Sequence, residues 1–242
     1  MTSFSKAKFV KHEPCPSCGS SDALARYDDG SAYCFAAGCN HFEKATGEVV
    51  QLSTRRKTDM RGVCADIPDR RISKQTCEKF GVTVEFGTDG KVSKHHYPYY
   101  ATDSDSLLGS KVRLVDNKNF LVTGTFEGAG LFGQNTCRGR GKYITVCEGE
   151  IDALSISEMF DRKWDVVSLR SGASAAAKEV KEQLEFLEGY DNIVLCFDND
   201  KAGETAIDAV KDVFSPNKVR ICRLPLKDAN EMLLANRQRE FQ

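Results

Sequence analysis

Four of the ten cysteines fall between positions 15 and 39, as Cys15-Pro-Ser-Cys18 and Cys34-Phe-Ala-Ala-Gly-Cys39, with fifteen residues between the pairs. Two cysteine knuckles at that separation have the spacing of a four-cysteine zinc ribbon. Each knuckle presents two thiolates, and two knuckles on adjoining hairpins close a tetrahedron with Zn–S distances of about 2.3 Å. No other feature constrains folding as strongly, because residues 12–45 are too few to bury a core and need the metal to fold. Short strands are expected at 23–27 and 32–35 around the turn Asp28-Asp29-Gly30. The second pair has four intervening residues where two are commoner. His12 and His41 lie close enough to replace one sulfur, so a mixed Cys/His set stands as the alternative. Four protein ligands leave no open position, which makes the zinc structural rather than catalytic.

The other six cysteines, at 64, 77, 137, 147, 196 and 222, are scattered, mostly among apolar neighbours, and read as small buried hydrophobes. Residues 1–11 lack the apolar core of an export signal, and no run of eighteen apolar residues occurs. With 40% hydrophobic and 29% charged residues the composition is that of a globular chain rather than a disordered one. A soluble intracellular protein is expected. The net charge of −1 hides a polarity, since residues 1–145 carry 21 basic against 16 acidic side chains and residues 146–242 carry 13 against 19. Such a division suits a carboxylate metal site beside a polyanion track; a charged surface without a partner is the plainer alternative.

Residues 46–62 hold Arg55-Arg56-Lys57 but no sustained apolar period, and read as a flexible basic tether. Ile72-Ser73 ahead and Gly81 behind bracket a helix of about eight residues. Strands are expected at 82–86, 96–100, 107–114 and 119–123. Tyr97, Tyr99 and Tyr100 could stack on bases, although strand aromatics more often pack in a core. Lys111 and Arg113, two residues apart, share one strand face, and Lys118 follows five residues later. A paired cationic face suits phosphate binding, with an ordinary exposed strand face as the alternative.

From residue 142 the pattern alternates: strands at 143–147, 166–169, 193–197 and 219–224, and helices at 152–160, 175–187 and 202–213. This order predicts an α/β domain with a mainly parallel sheet, whose functional groups gather beyond the carboxyl ends of the strands. Glu148 and Glu150 follow the first strand, and Asp152 lies in the first turn of the next helix. Asp198 and Asp200 follow the third strand, and Asp228 the fourth. Several carboxylates on one rim repel one another and need a cation; oxygen donors without His or Cys favour Mg2+ or Mn2+. Helix-capping acids are the alternative. The loop Leu169-Arg170-Ser171-Gly172-Ala173-Ser174-Ala175 leads into a helix N-terminus, a place suited to a phosphate.

Glu148-Gly149-Glu150-Ile151-Asp152 and Asp198-Asn199-Asp200 resemble the Toprim fold of DnaG-type primases and topoisomerases. The resemblance is closer to the primase half of the primase–helicases of short-tailed phages. Cys-Pro-Ser-Cys, Ile72-Ser73-Lys74-Gln75-Thr76-Cys77, Lys111-Val112-Arg113, Lys118-Asn119-Phe120, Leu131-Phe132-Gly133, Ser171-Gly172-Ala173-Ser174-Ala175-Ala176 and Lys227-Asp228-Ala229-Asn230-Glu231 fit that family in order, over essentially the whole chain. The resemblance implies a zinc ribbon over 1–45, a linker over 46–62, a mixed α+β subdomain over 63–141 and a Toprim catalytic subdomain over 142–242.

It further implies a DNA primase, a nucleotidyltransferase that makes short RNA primers from ribonucleoside triphosphates on single-stranded DNA. Glu148 then matches the essential glutamate, Asp198 and Asp200 the Mg2+- or Mn2+-binding pair, and Asp152 and Asp228 supporting acids of that site. Lys111, Arg113 and Lys118 match nucleotide-binding cations, and Asp29 and Ser31 template contacts. Ser31 stands where close relatives carry histidine, which implies a different recognised trinucleotide. The implied partners are the template, the nucleotides and a replicative helicase, fused or separate, with no membrane, in the cytoplasm of a phage-infected bacterium. No G-x4-G-K-[ST] motor motif occurs, and the chain stops in helix-like sequence. Both a piece of a longer primase–helicase and a stand-alone primase fit that end. Two other classes remain as alternatives. A RecR-like DNA-binding mediator has no use for the crowded acids, and a Toprim nuclease needs neither ribbon nor lysines.

Overall fold

The computed structural model describes residues 7–36, 39, 41–47, 49–51, 60–117 and 119–241. Short strands β1 (Phe9–Glu13), β2 (Leu24–Tyr27), β3 (Ala32–Cys34), β4 (His41–Glu43) and β5 (Val49–Gln51) form an antiparallel sheet in chain order. A core of Cys15, Leu24, Ala32 and Cys34 lies beneath it. The tether expected from residue 46 is corrected at its start, because the backbone of 49–51 pairs with β4. Residues 48 and 52–59 of that segment lie outside the described residues.

Helix α1 (Lys74–Phe80) has the termini its sequence predicts: the Ser73 hydroxyl accepts from the Thr76 N–H, and Gly81 closes the helix at φ 70°. Strands β6 (Thr83–Phe86), β7 (Val92–Tyr100), β8 (Leu107–Leu114) and β9 (Phe120–Gly124) then form a second antiparallel sheet, again in chain order. Tyr97 and Tyr99 are fully buried and pack against Phe132, which removes both from any role in stacking on bases.

The last region alternates as expected. It contains β10 (Gly141–Cys147), α2 (Glu150–Met159), β11 (Asp165–Ser168), α3 (Ala176–Glu182), α4 (Leu184–Glu188), β12 (Tyr190–Cys196), α5 (Lys201–Val210), β13 (Val219–Ile221) and α6 (Ala229–Leu234). The sheet order is β11-β10-β12-β13, all parallel. The single long helix expected over 175–187 is instead two, separated at Gln183 (φ −111°, ψ 19°). Gln183 is held there by a side-chain bond from Gln134 at 3.0 Å.

Two apolar layers flank the parallel sheet. One, with Phe80, Tyr97, Phe132, Leu154, Ile156 and Met232, joins it through α2 and α6 to α1 and the second antiparallel sheet. The other, with Ile144, Val180, Leu187, Leu195 and Val210, lies under α3, α4 and α5. Of the scattered cysteines, Cys77, Cys147, Cys196 and Cys222 are buried, whereas Cys64 and Cys137 are partly exposed. No helix among the described residues is long and apolar enough to cross a membrane.

Candidate active site

Parallel strands end together, so the residues just beyond β10 and β12 meet on one rim. Cys147 pairs in register with Cys196, which brings Glu148 and Asp198 to neighbouring strand ends. Glu148, Asp152 and Asp198 line one cavity of about 550 Å³ with Lys111, Phe120 and Arg170. Gly203, in the first turn of α5, lies so close to the Asp198 main chain that a Cβ there would sit 2.1 Å from the Asp198 carbonyl oxygen. That contact fixes how α5 seats on the strand end.

The cavity concentrates negative charge. Burial, then the charges of Asp198, Asp228 and Glu148, push the Asp152 carboxyl far above the usual range. Burial, then Glu148 and Asp228, push Asp198 up to about 6. Glu148 Oε1 accepts the Ala173 main-chain N–H at 3.3 Å, at the loop where Gly172 adopts φ 73°. Glu148 Oε2 is buried and has no hydrogen-bond partner. An orphaned carboxylate oxygen among mutually repelling carboxylates fits a hard divalent cation, which would satisfy the oxygen and relieve the repulsion together.

Asp200 and Asp228 stand differently. Asp200 Oδ1 caps α5, accepting from Ala202 N at 2.9 Å and Gly203 N at 3.0 Å. Asp228 Oδ1 caps α6, accepting from Glu231 N at 2.8 Å. Neither lines the cavity, yet both charges act on Asp198.

Lys111 reaches the cavity from β8. Its Nζ lies 2.9 Å from Glu150 Oε1, donates to the Arg170 carbonyl at 2.9 Å, and sits 4.6 Å from the centre of the exposed Phe120 ring. Glu150 is buried and also accepts from the Tyr99 hydroxyl at 2.5 Å. Arg170 is buried as well, bonded to the Ala129 carbonyl at 2.7 Å and to the carboxylate of Glu182. Arg113 does not line the cavity; it pairs in register with His95 and contacts Tyr97. Lys118 lies outside the described residues. Sequence reasoning assigned no role to Glu150 as a lysine partner or to Arg170 as a buried clamp. A glutamate three residues past a strand end and two residues before Asp152 offered a signal; the arginine offered none.

In the ribbon the four thiols converge: Cys15 and Cys39 sulfurs lie 3.6 Å apart, Cys18 and Cys34 3.7 Å, and all four are within 4.8 Å of one another. A tetrahedron with bonds of about 2.3 Å has edges of about 3.8 Å, so these thiols can hold one metal ion. Burial opposes ionisation of Cys15, but main-chain N–H groups of Cys18 and Ser17 outweigh it with the neighbouring thiols and bring it down to about 7. His41 is turned elsewhere, with Nδ1 bonded to Ser17 Oγ at 2.8 Å and Nε2 to Glu43 at 3.0 Å. The His12 ring packs at a tilt against Phe9 on β1, their centres 4.8 Å apart. In the β2–β3 turn, Asp29 Oδ1 accepts from the Ser31 N–H at 2.9 Å and from its hydroxyl at 2.6 Å.

Residues 145–233 match the Toprim-like family. The DNA helicase/primase of Enterobacteria phage T3 is 40% identical over 240 residues, a match covering 92% of this chain and 41% of that protein. The primase fragment of the bacteriophage T7 primase–helicase is 35% identical with a TM-score of 0.70, covering 96% of this chain and 98% of the fragment. The primase domains bound to an RNA/DNA hybrid and dTTP in the bacteriophage T7 lagging-strand polymerase complex are 39% identical, with a TM-score of 0.67. That match covers 74% of this chain and 89% of the other. A four-cysteine ribbon and a Toprim-like parallel sheet, matched over 98% of a phage primase fragment, define the chain's class. The chain belongs to the phage primase–helicase family and corresponds to its primase part; it spans about 41% of the length of the phage T3 relative.

Proposed function

We propose that the chain is a DNA primase that joins ribonucleoside triphosphates into short RNA primers on a single-stranded DNA template. The observation that carries this reading is the buried, unpartnered Glu148 oxygen in a cavity shared with Asp152 and Asp198 and faced by Lys111. Membership of the primase–helicase family, and the RNA/DNA hybrid in the complex that contains the T7 primase domains, support an RNA product on a DNA template.

In this reading Glu148, Asp152 and Asp198 hold one or two Mg2+ or Mn2+ ions, with Asp200 and Asp228 adding charge from the edge. Such an ion would neutralise charge on the triphosphate and ease attack of a 3′-hydroxyl on the α-phosphorus, as pyrophosphate leaves and the hydroxyl proton passes to water. The chain's own residues orient the reactants. Glu150 and the Arg170 carbonyl fix the Lys111 ammonium so that it faces a phosphate without searching rotamers. The Ala173 N–H holds Glu148 by Oε1 and leaves Oε2 for a cation.

Cys15, Cys18, Cys34 and Cys39 hold a structural zinc, and the ribbon, with Asp29 and Ser31 at its turn, contacts the template. Lys118, from the Lys118-Asn119-Phe120 stretch, and Lys111 are the cations assigned to the nucleotide in this reading. A replicative helicase is the protein partner, and the site of action is the infected bacterial cell.

The test incubates the zinc-loaded chain with a library of single-stranded DNA, ribonucleotides and Mg2+. Alkali-labile products a few nucleotides long support the reading. Shortened template marks a nuclease, and template binding without any product marks a mediator; either result overturns it.

A further inference from the structure

Among the buried polar groups, one sits beside the acidic rim without belonging to it. Asn230, on α6 two residues after Asp228, is 2% exposed. Its Nδ2 donates to the Arg70 carbonyl at 3.0 Å and to Ser155 Oγ at 3.0 Å, and its Oδ1 accepts from the Arg70 guanidinium at 3.1 Å. One amide therefore ties three segments together, namely α6, α2 and the short turn Pro68–Arg70 ahead of α1. Both hydrogens of the amide are used, and a buried amide so satisfied has one allowed orientation. The adjacent Arg71 donates to the carbonyls of Leu233 at 3.3 Å and Leu234 at 3.0 Å, so neighbouring arginines hold both ends of α6.

The consequence falls on the acids. Ser155 and Asp152 are three residues apart on α2 and share a face. The Asn230 side chain bonds the first, and its main-chain N–H faces the carboxylate of the second. Asp228 caps the same short helix, and its charge acts on both Asp152 and Asp198. A shift of α6 along α2 would therefore change two carboxylate separations at once, in a place where charge repulsion is already high.

We infer that Asn230 is a positioning residue: by locking α6 to α2 and to the 68–70 turn, its amide sets the spacing of Asp228 and Asp152 and so the divalent-cation affinity of the rim. The inference rests on the metal-site reading given above. Groups that orient carboxylates around a cation typically change its affinity by about 10- to 100-fold when removed.

The test is a Mn2+ titration of zinc-loaded protein followed by electron paramagnetic resonance, without nucleotide and at a temperature where every variant is folded. The matched control is Thr76→Val. Thr76 is fully buried and donates to the Glu158 carboxylate, tying α1 to the far end of α2, away from the acids. Asn230→Ala should weaken Mn2+ binding by about tenfold or more, while Thr76→Val stays within about twofold. Ser155→Ala, which removes one of the three amide bonds, should fall between them and carries the test if Asn230→Ala does not fold. Unchanged affinity in Ser155→Ala and Asn230→Ala, or equal weakening by Thr76→Val, overturns the inference while leaving the metal site standing. A wild-type chain that binds no Mn2+ overturns the metal-site reading itself, and the inference with it.

Discussion

Gly203→Ala places two effects of opposite sign on one methyl group. Alanine is favoured over glycine inside a helix by about 1 kcal/mol, so propensity alone predicts a more stable protein. Against this, the new Cβ would lie 2.1 Å from the Asp198 carbonyl oxygen, with the Asp198 carbon and nitrogen at 3.1 and 3.2 Å. All three are main-chain atoms and cannot rotate away. Reaching an ordinary contact of 3.4 Å requires α5 and the β12 end to separate by about 1.3 Å. Overpacking of this kind costs about 1–3 kcal/mol, which cancels or exceeds the propensity gain. The functional effect is larger, because a misplacement of about 1 Å at a reacting centre costs on the order of 100-fold in rate. The shift also moves Asp200, whose cap includes the Gly203 N–H. Gly189→Ala is the control: its Cβ would meet the Gly139 carbonyl at 2.2 Å, at the opposite end of β12. Urea unfolding and primer-synthesis rates on both variants separate the effects. Both should lose stability, but only Gly203→Ala should lose about two orders of magnitude in rate per folded molecule. A Gly203→Ala protein that is more stable and fully active would refute the reasoning.

Three further outcomes are expected. Mercurial titration of the thiols should release one zinc per chain, and chelation should expose the β1–β5 amides to hydrogen exchange while those of β10–β13 stay protected; purified protein without zinc contradicts this. His95 is fully buried, and burial, then the Arg113 charge, lower its pKa to about 4. From pH 6.5 down to 4 the unfolded chain binds a proton that the folded one refuses, so stability falls as the pH drops through that window. The contribution is about 2–3 kcal/mol at pH 4.5; urea unfolding at pH 7 and 4.5 should show the difference shrinking by that amount in His95→Gln, and an unchanged difference opposes it. Lys111→Met leaves Glu150 buried without its cation and should cost about 3–5 kcal/mol as well as nucleotide affinity. Adding Glu150→Gln should restore thermal stability but not synthesis, and a double variant as unstable as the single one contradicts the pairing.

Much of the parallel sheet was legible because strands and helices carry different apolar periods, and because Ser73 and Gly81 punctuate α1 with groups that act locally. The break at Gln183 was not, since it depends on a bond from Gln134, 49 residues away. The acids were legible as a set because parallel topology brings strand ends together. Their separate environments were not: Asp200 and Asp228 each precede a helix, and a sequence cannot distinguish an acid that caps from one that faces a cavity. Arg113 was read by strand period as a partner of Lys111. It does share that strand face, but the twisted sheet carries it past the cavity to His95 and Tyr97. Asn230 stood in the quoted Lys-Asp-Ala-Asn-Glu stretch without a role, because its partners Arg70 and Ser155 lie 160 and 75 residues away.

The central claim is that the carboxylates of this rim exist for nucleotide joining and not for the fold. Asp198→Ala tests it most directly, with melting temperature and RNA product measured on the same preparation. Removing a carboxyl that burial and its acidic neighbours hold up at about 6 relieves repulsion in metal-free protein. The melting temperature without Mg2+ should therefore stay level or rise, while RNA synthesis on single-stranded DNA disappears. A variant that melts early yet still makes primers through its folded fraction, or one that is folded and fully active, would contradict the account.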